Sequence, residues 1–351
     1  MIVNRRIFTI YSHILILCEQ LEVIYLKNSG KVSLKSKVLT ILEENRGKSV
    51  SGNRIAATLG ITRSAVWKGV NQLRNDGYLI SAVTNRGYCL TQENDLLNEP
   101  SIRTLLRTHD IGRQMDVFRT IDSTNNFAKR LAEIGSANGH TIIAEAQTEG
   151  KGRMGRSFHS PSAQGIYISV IVRPPVTLEQ ASNLTACAAV AVCEAIEDVA
   201  GVRCGIKWVN DVYINDKKVC GILTEASMNV EEATLDYAVI GIGINVNNPS
   251  FPDDISHKAT SIRLEAGGCI NRSVLCAELL NRLEERIDTI GDGAFMDLYR
   301  ARSILDDRDV TIYNNGIGYR AHVLGIDERG RLIIRRSNGS VDRILNGSIE
   351  L

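Results

Sequence analysis

The sequence predicts an α+β protein in three parts: an N-terminal winged helix-turn-helix, a central mixed-sheet domain and a small C-terminal β-barrel. Three observations predict it. Residues 36–90 carry helical periodicity in short pieces and end in a hairpin signal. From 101 to 301, helical and strand patterns intermingle without regular β-α alternation, which argues for a mixed sheet rather than a doubly wound one. The last fifty residues alternate in short strands separated by turn residues. A chain of 351 residues, 44% of them hydrophobic, is long enough to bury more than one core.

The head, 36–92, begins with "KVLTILEEN", where Val38, Leu39, Ile41 and Leu42 share one helical face. "SGNRIAATLG" follows, with Ser51 as candidate N-cap and Gly60 as stop. Thr62 then caps "RSAVWKGVNQLRNDG", in which Val66, Val70 and Leu73 repeat at helical spacing. Ala56 permits close helix packing and Gly60 a tight turn, so the pair predicts a helix-turn-helix. "YLISAVTNRGYCLT" reads as two strands around Asn85-Arg86-Gly87, a wing. Arg63, Ser64 and Lys68 near the start of the second helix, with Arg86 at the wing tip, suit phosphates and base edges of DNA. The plainer alternative is a helical protein-interaction unit with solvated cations.

Residues 93–100 are polar and acidic and read as a linker. In the central domain, 101–301, "MDVFRTI", "TIIAEAQ", "GIYISVIVRP", "CGIKWVND", "VYINDKKVCGILTEA" and "DYAVIGIGINVN" supply strands. "STNNFAKRLAEIG", capped by Ser123 or Thr124, and an alanine-rich stretch from about Leu178 to Val199 supply helices, and two more close the domain near Leu275–Ile290 and Phe295–Ala301. Turns at Asn314-Asn315-Gly316, Glu328-Arg329-Gly330 and Asn338-Gly339 punctuate the last part, 302–351. Residues 1–35 form an extension of unknown role. "NRRIFTIYSHILILC" has arginines before an apolar run, but that run is too short and polar for a membrane span and lacks a small residue before Cys18.

Composition bounds the partners. Lys plus Arg number 41 and Asp plus Glu 40, so any polyanion must be met by a local patch. The eight cysteines form no C-x-x-C and read as reduced core residues of a cytoplasmic protein. No Cys/His spacing suggests zinc, and no G-x-S-x-G appears. Gly47-Lys48-Ser49 lacks the upstream glycine of a phosphate-binding P-loop.

Two stretches carry candidate chemistry. In "EGKGRMGRSFHSP", Gly150, Gly152 and Gly155 alternate with Lys151, Arg153 and Arg156. Glycines let backbone N–H groups turn toward an anion, and the cations add charge-assisted donors. A loop of this kind suits a phosphate or an adenylate and would order as ligand arrives; the alternative is a solvated surface loop. In "KWVNDVYINDKKVCGILTE", Lys207, Asn210 and Asp211 end a strand, and Lys218 on the next strand would draw a carboxylate or phosphate oxygen, unless it forms an ordinary hairpin salt bridge. Ser123-Thr124-Asn125 and Gln147 suit a polar, uncharged ligand head, and Gly241-Ile242-Gly243-Ile244-Asn245 permits a close backbone approach.

Together, in this order, these motifs resemble the bifunctional biotin–protein ligases that also act as biotin operon repressors, from about Ser36 to the C-terminus. The family's Gly-Arg-Gly-Arg-x-Gly-Arg loop stands here as Gly150–Arg156, with Lys151 for the first arginine. Its Lys-Trp-Pro-Asn-Asp stands as Lys207–Asp211, with Val209 for proline, and its Lys-x-x-Gly-Ile-Leu as Lys218–Leu223. The resemblance implies a ligase-type central domain and an SH3-like C-terminal barrel. It implies an ATP-dependent, AMP-forming enzyme that makes biotinyl-5′-AMP and passes biotin to a lysine of the biotin carboxyl carrier protein. Mg²⁺ would accompany the ATP. Ser123, Thr124, Asn125 and Gln147 would hold the biotin head, and Lys151, Gly152 and Arg153 would cover the carboxyl-phosphate junction. Lys218 would neutralise the carboxylate and α-phosphate. Gly150, Arg156, Asn210 and Asn245 would meet the nucleotide, and Asp211 the incoming lysine. Adenylate-dependent dimerisation would set two heads, with Arg63, Ser64, Lys68 and Arg86, on operator DNA. A repressor without catalysis, a ligase with a vestigial head, and a lipoate–protein ligase are the alternatives.

Overall fold

A computed structural model describes residues 33–83, 86–173, 181, 183–229, 234–314 and 317–350. The first 32 residues of the N-terminal extension, Asn85 of the wing, the first residues of the helix read from Leu178, and Asn315-Gly316 lie outside the described residues, while the extension's last three residues belong to the start of the first helix. The chain divides into two compact units, one ending at Asn94 and the other comprising Asp95–Leu351.

The first unit holds α1 (Leu34–Glu44), α2 (Gly52–Leu59), α3 (Arg63–Asn75), β1 (Ile80–Val83) and β2 (Gly87–Leu90). Each helix starts where a hydroxyl takes up a free N–H: Ser33 accepts from Ser36, Ser51 from Arg54 and Thr62 from Ala65. Gly60 ends α2 in the left-handed region. Val38, Leu42, Ile55, Val66, Val70 and Leu73 are buried, so the three helices close on the face the periodicity marked. In the wing, Ile80 pairs with Leu90 and Val83 with Gly87.

The second unit is built on a seven-stranded sheet of order β3-β4-β5-β9-β8-β7-β6. Its strands are β3 (Met115–Phe118), β4 (Thr141–Ala144), β5 (Gly165–Val172), β6 (Gly205–Lys207), β7 (Asp211–Ile214), β8 (Lys217–Asn229) and β9 (Thr234–Asn245). Only β3 and β4 pair in parallel, so the sheet is mixed. One face carries α6 (Leu184–Ala200), α9 (Arg272–Asp288) and α10 (Ala294–Ala301) over the main core; on the other, α5 (Thr124–Glu133) packs Ala128, Leu131 and Ala132 onto Ile142, Ile171 and Val239. Short helices α4 (Glu99–Arg103), α7 (Asp253–Ser256) and α8 (Ile262–Ala266) were not read from the sequence.

The C-terminal strands β10 (Asp309–Asn314), β11 (Ile317–Ile326), β12 (Leu332–Arg336), β13 (Val341–Ile344) and β14 (Ser348–Glu350) form an antiparallel sheet of order β13-β12-β11-β10-β14. Ile312, Val323, Leu332 and Ile334 belong to the same core cluster as the large sheet, and Trp208 Nε1 donates to Gly330 O at 2.8 Å. A boundary at 301/302 therefore separates strands that share one core.

The stretch read as a linker is structural from Asp95 onward. Asp95 pairs with Arg272, Leu97 N donates to Glu145 Oε1 at 2.6 Å, and Asn98 caps α4. Its polarity serves caps and ion pairs rather than solvation. Arg272, with no exposed surface, also reaches Glu145 at 2.8 Å and Gly165 O at 3.0 Å; a buried guanidinium is tolerable only when its donors are this fully paired.

Candidate functional site

The Ser123 hydroxyl caps α5, so the next residues enter a helical turn whose first side chains lie over the sheet. The Thr124 backbone N–H and hydroxyl both meet Gln147 Oε1, at 2.9 and 3.1 Å, and Gln147 Nε2 donates to Ser160 Oγ. Asn125 is held on both ends of its amide. Its Nδ2 donates to Glu225 Oε2 at 3.0 Å, and its Oδ1 lies 2.6 Å from Ser169 Oγ. Burial alone would raise the Glu225 carboxyl; hydrogen bonds from Lys129 and Asn125 hold it below its ordinary value instead. The amide lies so close to β9 that a Cβ on Gly241 would stand 2.0 Å from Asn125 Oδ1. A Cβ on Gly243 would stand 2.6 Å from the Phe158 ring. The alternating glycines of β9 thus make room for two side chains.

The glycine-rich loop is a hydrogen-bonded hairpin. Phe158 N donates to Gly150 O at 2.8 Å and Gly152 N to Arg156 O at 2.7 Å, around a 3₁₀ turn at Arg153–Gly155. These backbone bonds give the segment from Gly150 to Phe158 a defined hairpin shape. Arg153 leaves the turn and donates from Nη1 to Asn210 Oδ1 at 3.1 Å, while Asn210 Nδ2 is fixed on Ile222 O. Lys218 Nζ meets Asp211 Oδ1 at 2.6 Å, and Lys151 Nζ meets Asn126 Oδ1 at 2.9 Å. Burial pulls the Arg153 guanidinium below its ordinary value against the pull of Asp211, and does the same to Lys207. A charge desolvated in this way gains most from an anionic partner.

An inner cleft brings together Ser123, Thr124, Asn125, Gln147, Lys151, Gly152, Arg153 and Lys218. A larger outer cleft adjoins it, lined by Arg156, Lys207, Asp211, Asn245 and Lys258, and shares Gly152, Arg153, Phe158, Asn210 and Lys218 with it. Asn245 is buried and donates to Thr260 O. Gly150 lies on neither lining; a Cβ there would stand 2.6 Å from Phe158 O, so its place is at the base of the hairpin. Phe158, Ser169 and Glu225 were missed in the sequence. The cations of the outer cleft, Arg153, Arg156, Lys207, Lys218 and Lys258, face only Asp211 and Asp254 among its carboxylates, which suits a polyphosphate.

Residues 117–245 match the biotin/lipoate A/B protein ligase family, and residues 35–89 match the HTH domain. The Bacillus subtilis protein named bifunctional ligase/repressor BirA is 36% identical over 327 residues, covering 91% of this chain and 99% of its own. The chain belongs to the biotin/lipoate A/B protein ligase family. The Escherichia coli protein of the same name is 28% identical over 309 residues, covering 87% of this family member and 94% of its own chain. A solved biotin protein ligase from Aquifex aeolicus, in complex with biotin and ATP, superposes with a TM-score of 0.59 at 28% identity, covering 68% of this chain and 98% of that one.

In the first unit of this ligase-family chain, Arg63, Ser64 and Lys68 are exposed on α3, as is Arg86 in the wing. Ser64 Oγ lies 2.9 Å from the capping Thr62 Oγ1, so part of its bonding capacity is spent on the helix start. Trp67, 55% exposed, stands on the same face between Arg63 and Lys68. Residues 52–75 include Arg54, Arg63, Lys68 and Arg74 and contain neither Asp nor Glu, a local cationic patch on a chain of net charge +1.

Proposed function

We infer that the chain is an ATP-dependent biotin–protein ligase that also represses transcription through its winged head. The observation that carries the ligase reading is the convergence of Ser123, Thr124, Asn125 and Gln147 with Arg153 and Lys218 in one cleft that opens onto a cationic second cleft. A biotin ureido group presents N–H donors and a carbonyl acceptor. The amides of Asn125 and Gln147 and the hydroxyls of Ser123 and Thr124 complement these. The apolar dithiolane of lipoate offers these donors and acceptors no comparable partner.

Biotin lies in the inner cleft with its carboxylate toward Lys218 and Arg153, and ATP lies in the outer cleft. A carboxylate oxygen attacks the α-phosphorus, forming a C–O–P linkage as the bond to pyrophosphate breaks and its electron pair leaves with pyrophosphate. The nucleophile is already an anion, so the protein's task is positioning and charge neutralisation. Lys218 exchanges Asp211 for the carboxylate and α-phosphate, and Lys151, Gly152 and Arg153 cover the junction. Arg156 and Asn210 meet phosphate oxygens, Asn245 lies near the adenine, and Gly150 anchors the loop. A carrier lysine then attacks the acyl carbon, with Asp211 orienting or deprotonating it; C–N forms, C–O breaks, and AMP leaves.

Among the described residues no group of three His, Cys, Asp or Glu could hold a metal. For Mg²⁺ arriving on the ATP phosphates, Asp211 and Asp254 are the carboxylates at hand in the outer cleft. The adenylate-bound form dimerises and places Arg63, Ser64, Lys68 and Arg86 of two heads on operator half-sites. The cytoplasm is the proposed compartment: the seven described cysteines are all thiols, and burial pushes Cys187 and Cys276 up to about 12.

The deciding experiment mixes the protein with ATP, labelled biotin and an apo biotin carboxyl carrier domain. Label transfer that is lost in Lys218→Ala supports the reading; no transfer by folded wild-type protein refutes it. Gel shifts of biotin-operon DNA with and without biotinyl-5′-AMP test the repressor, and equal affinity in both removes the switch.

A further inference from the structure

A third cleft opens beside the other two and takes neither biotin nor nucleotide in the reading above. Its walls are the start of α6, the middle of β8 and two turns of the C-terminal sheet, at Arg329-Gly330 and Leu345-Asn346. Arg153 and Asn210, hydrogen-bonded to each other at 3.1 Å, line all three clefts. The inner and third clefts also share Ile222 and Leu223. One guanidinium–amide pair therefore stands where three cavities meet, and the reaction has three reactants that must meet at one carboxyl group.

We propose that the third cleft is the approach route of the acceptor lysine, an inference that rests on the ligase reading. Ile222, Leu223 and Ala186 provide apolar wall for the four methylenes of a lysine stem, and Thr185 and Thr224, hydrogen-bonded at 2.8 Å, close the polar side. The lining contains Arg153 and Arg329 and no carboxylate. Two guanidiniums and partial desolvation disfavour an ammonium and favour the neutral amine, the form that is nucleophilic. The amine nitrogen then attacks the acyl carbon; the C–N bond forms, the C–O bond to phosphate breaks, and its electron pair leaves on AMP. The amine proton passes to Asp211, which lies in the adjoining outer cleft. The rim turns belong to the C-terminal sheet, which on this reading guides the carrier domain.

The test separates the two half-reactions. Asn346→Trp, at an exposed rim position, narrows the mouth, and Arg329→Glu places a carboxylate there. Biotinyl-5′-AMP formation is followed as pyrophosphate release without acceptor. Transfer is followed by mixing preformed enzyme-bound adenylate with the apo biotin carboxyl carrier domain, and in parallel with hydroxylamine, a nucleophile small enough to pass a narrowed mouth. The expected result is adenylate formation within twofold of wild type, transfer to the carrier slowed tenfold or more in Asn346→Trp, and hydroxylamine discharge slowed much less. Transfer at the wild-type rate in both variants overturns the proposal, as does an equal fall in both half-reactions. Absence of adenylate formation by the wild-type protein would instead refute the ligase reading itself.

Discussion

A single methyl group added at Gly241 should weaken biotin binding by more than an order of magnitude. Gly241 lies within β9, outside the left-handed region, so alanine fits its backbone. Its Cβ, however, would stand 2.0 Å from Asn125 Oδ1, where ordinary contact begins at 3.4 Å, so the amide must retreat by roughly 1.4 Å, the difference of the two. That retreat takes the 2.6 Å contact with Ser169 and the 3.0 Å bond to Glu225 out of hydrogen-bond range. An amide displaced that far also loses its own bonds to biotin, one donated and one accepted, together about 2–4 kcal/mol. At tenfold per 1.4 kcal/mol, Gly241→Ala should weaken biotin binding by about 30-fold or more. Titration calorimetry with biotin, alongside thermal unfolding, reads the effect. Gly268→Ala, where a Cβ meets nothing within 4 Å, is the control. A folded Gly241→Ala protein with biotin affinity within threefold of wild type would show that Asn125 does not hold the ligand.

Arg153→Ala and Lys218→Ala should each slow adenylate formation by about 10²-fold, as expected for removal of a donor aimed at developing charge, with a smaller effect on biotin affinity; single-turnover assays separate the two. The Glu225 carboxyl is held below 4.5 in the folded protein, so its contribution is present above that pH and is lost as pH falls through the folded value. The difference in Tm between wild type and Glu225→Gln should accordingly be constant from pH 8 to 5 and close below 4.5, which thermal unfolding across pH will show. Lys68→Ala should weaken binding to operator and unrelated duplex alike and lower the salt slope by about one, if Lys68 meets a phosphate. DNA should also shield the exposed Trp67, but not the buried Trp208, from acrylamide quenching of its fluorescence.

The sequence made the head legible because its signals are local: a hydroxyl cap, a helical stripe and a left-handed glycine each act within a few residues. The glycine-rich loop and Lys218 were legible through charge set among glycines or apolar residues. The partners that hold the site were not. Ser169 reaches Asn125 across 44 residues, Glu225 reaches the same amide across 100, and nothing near Ser169 in β5 marks one serine among apolar neighbours as the support of a ligand amide. Asp95 read as linker because its partner, Arg272, lies 177 residues away. The helices α7 and α8 escaped because four- and five-residue helices are too short to show a period.

The claim on which the rest depends is that Arg153 and Lys218 close on the acyl-phosphate. The most direct measurement is a crystal structure of the protein with biotinyl-5′-AMP. Both side chains should stand within hydrogen-bond distance of the acyl or phosphate oxygens, with the 2.6 Å pair between Lys218 and Asp211 released. A bound adenylate that leaves that pair intact, with residues 150–156 turned away from it, would contradict the claim.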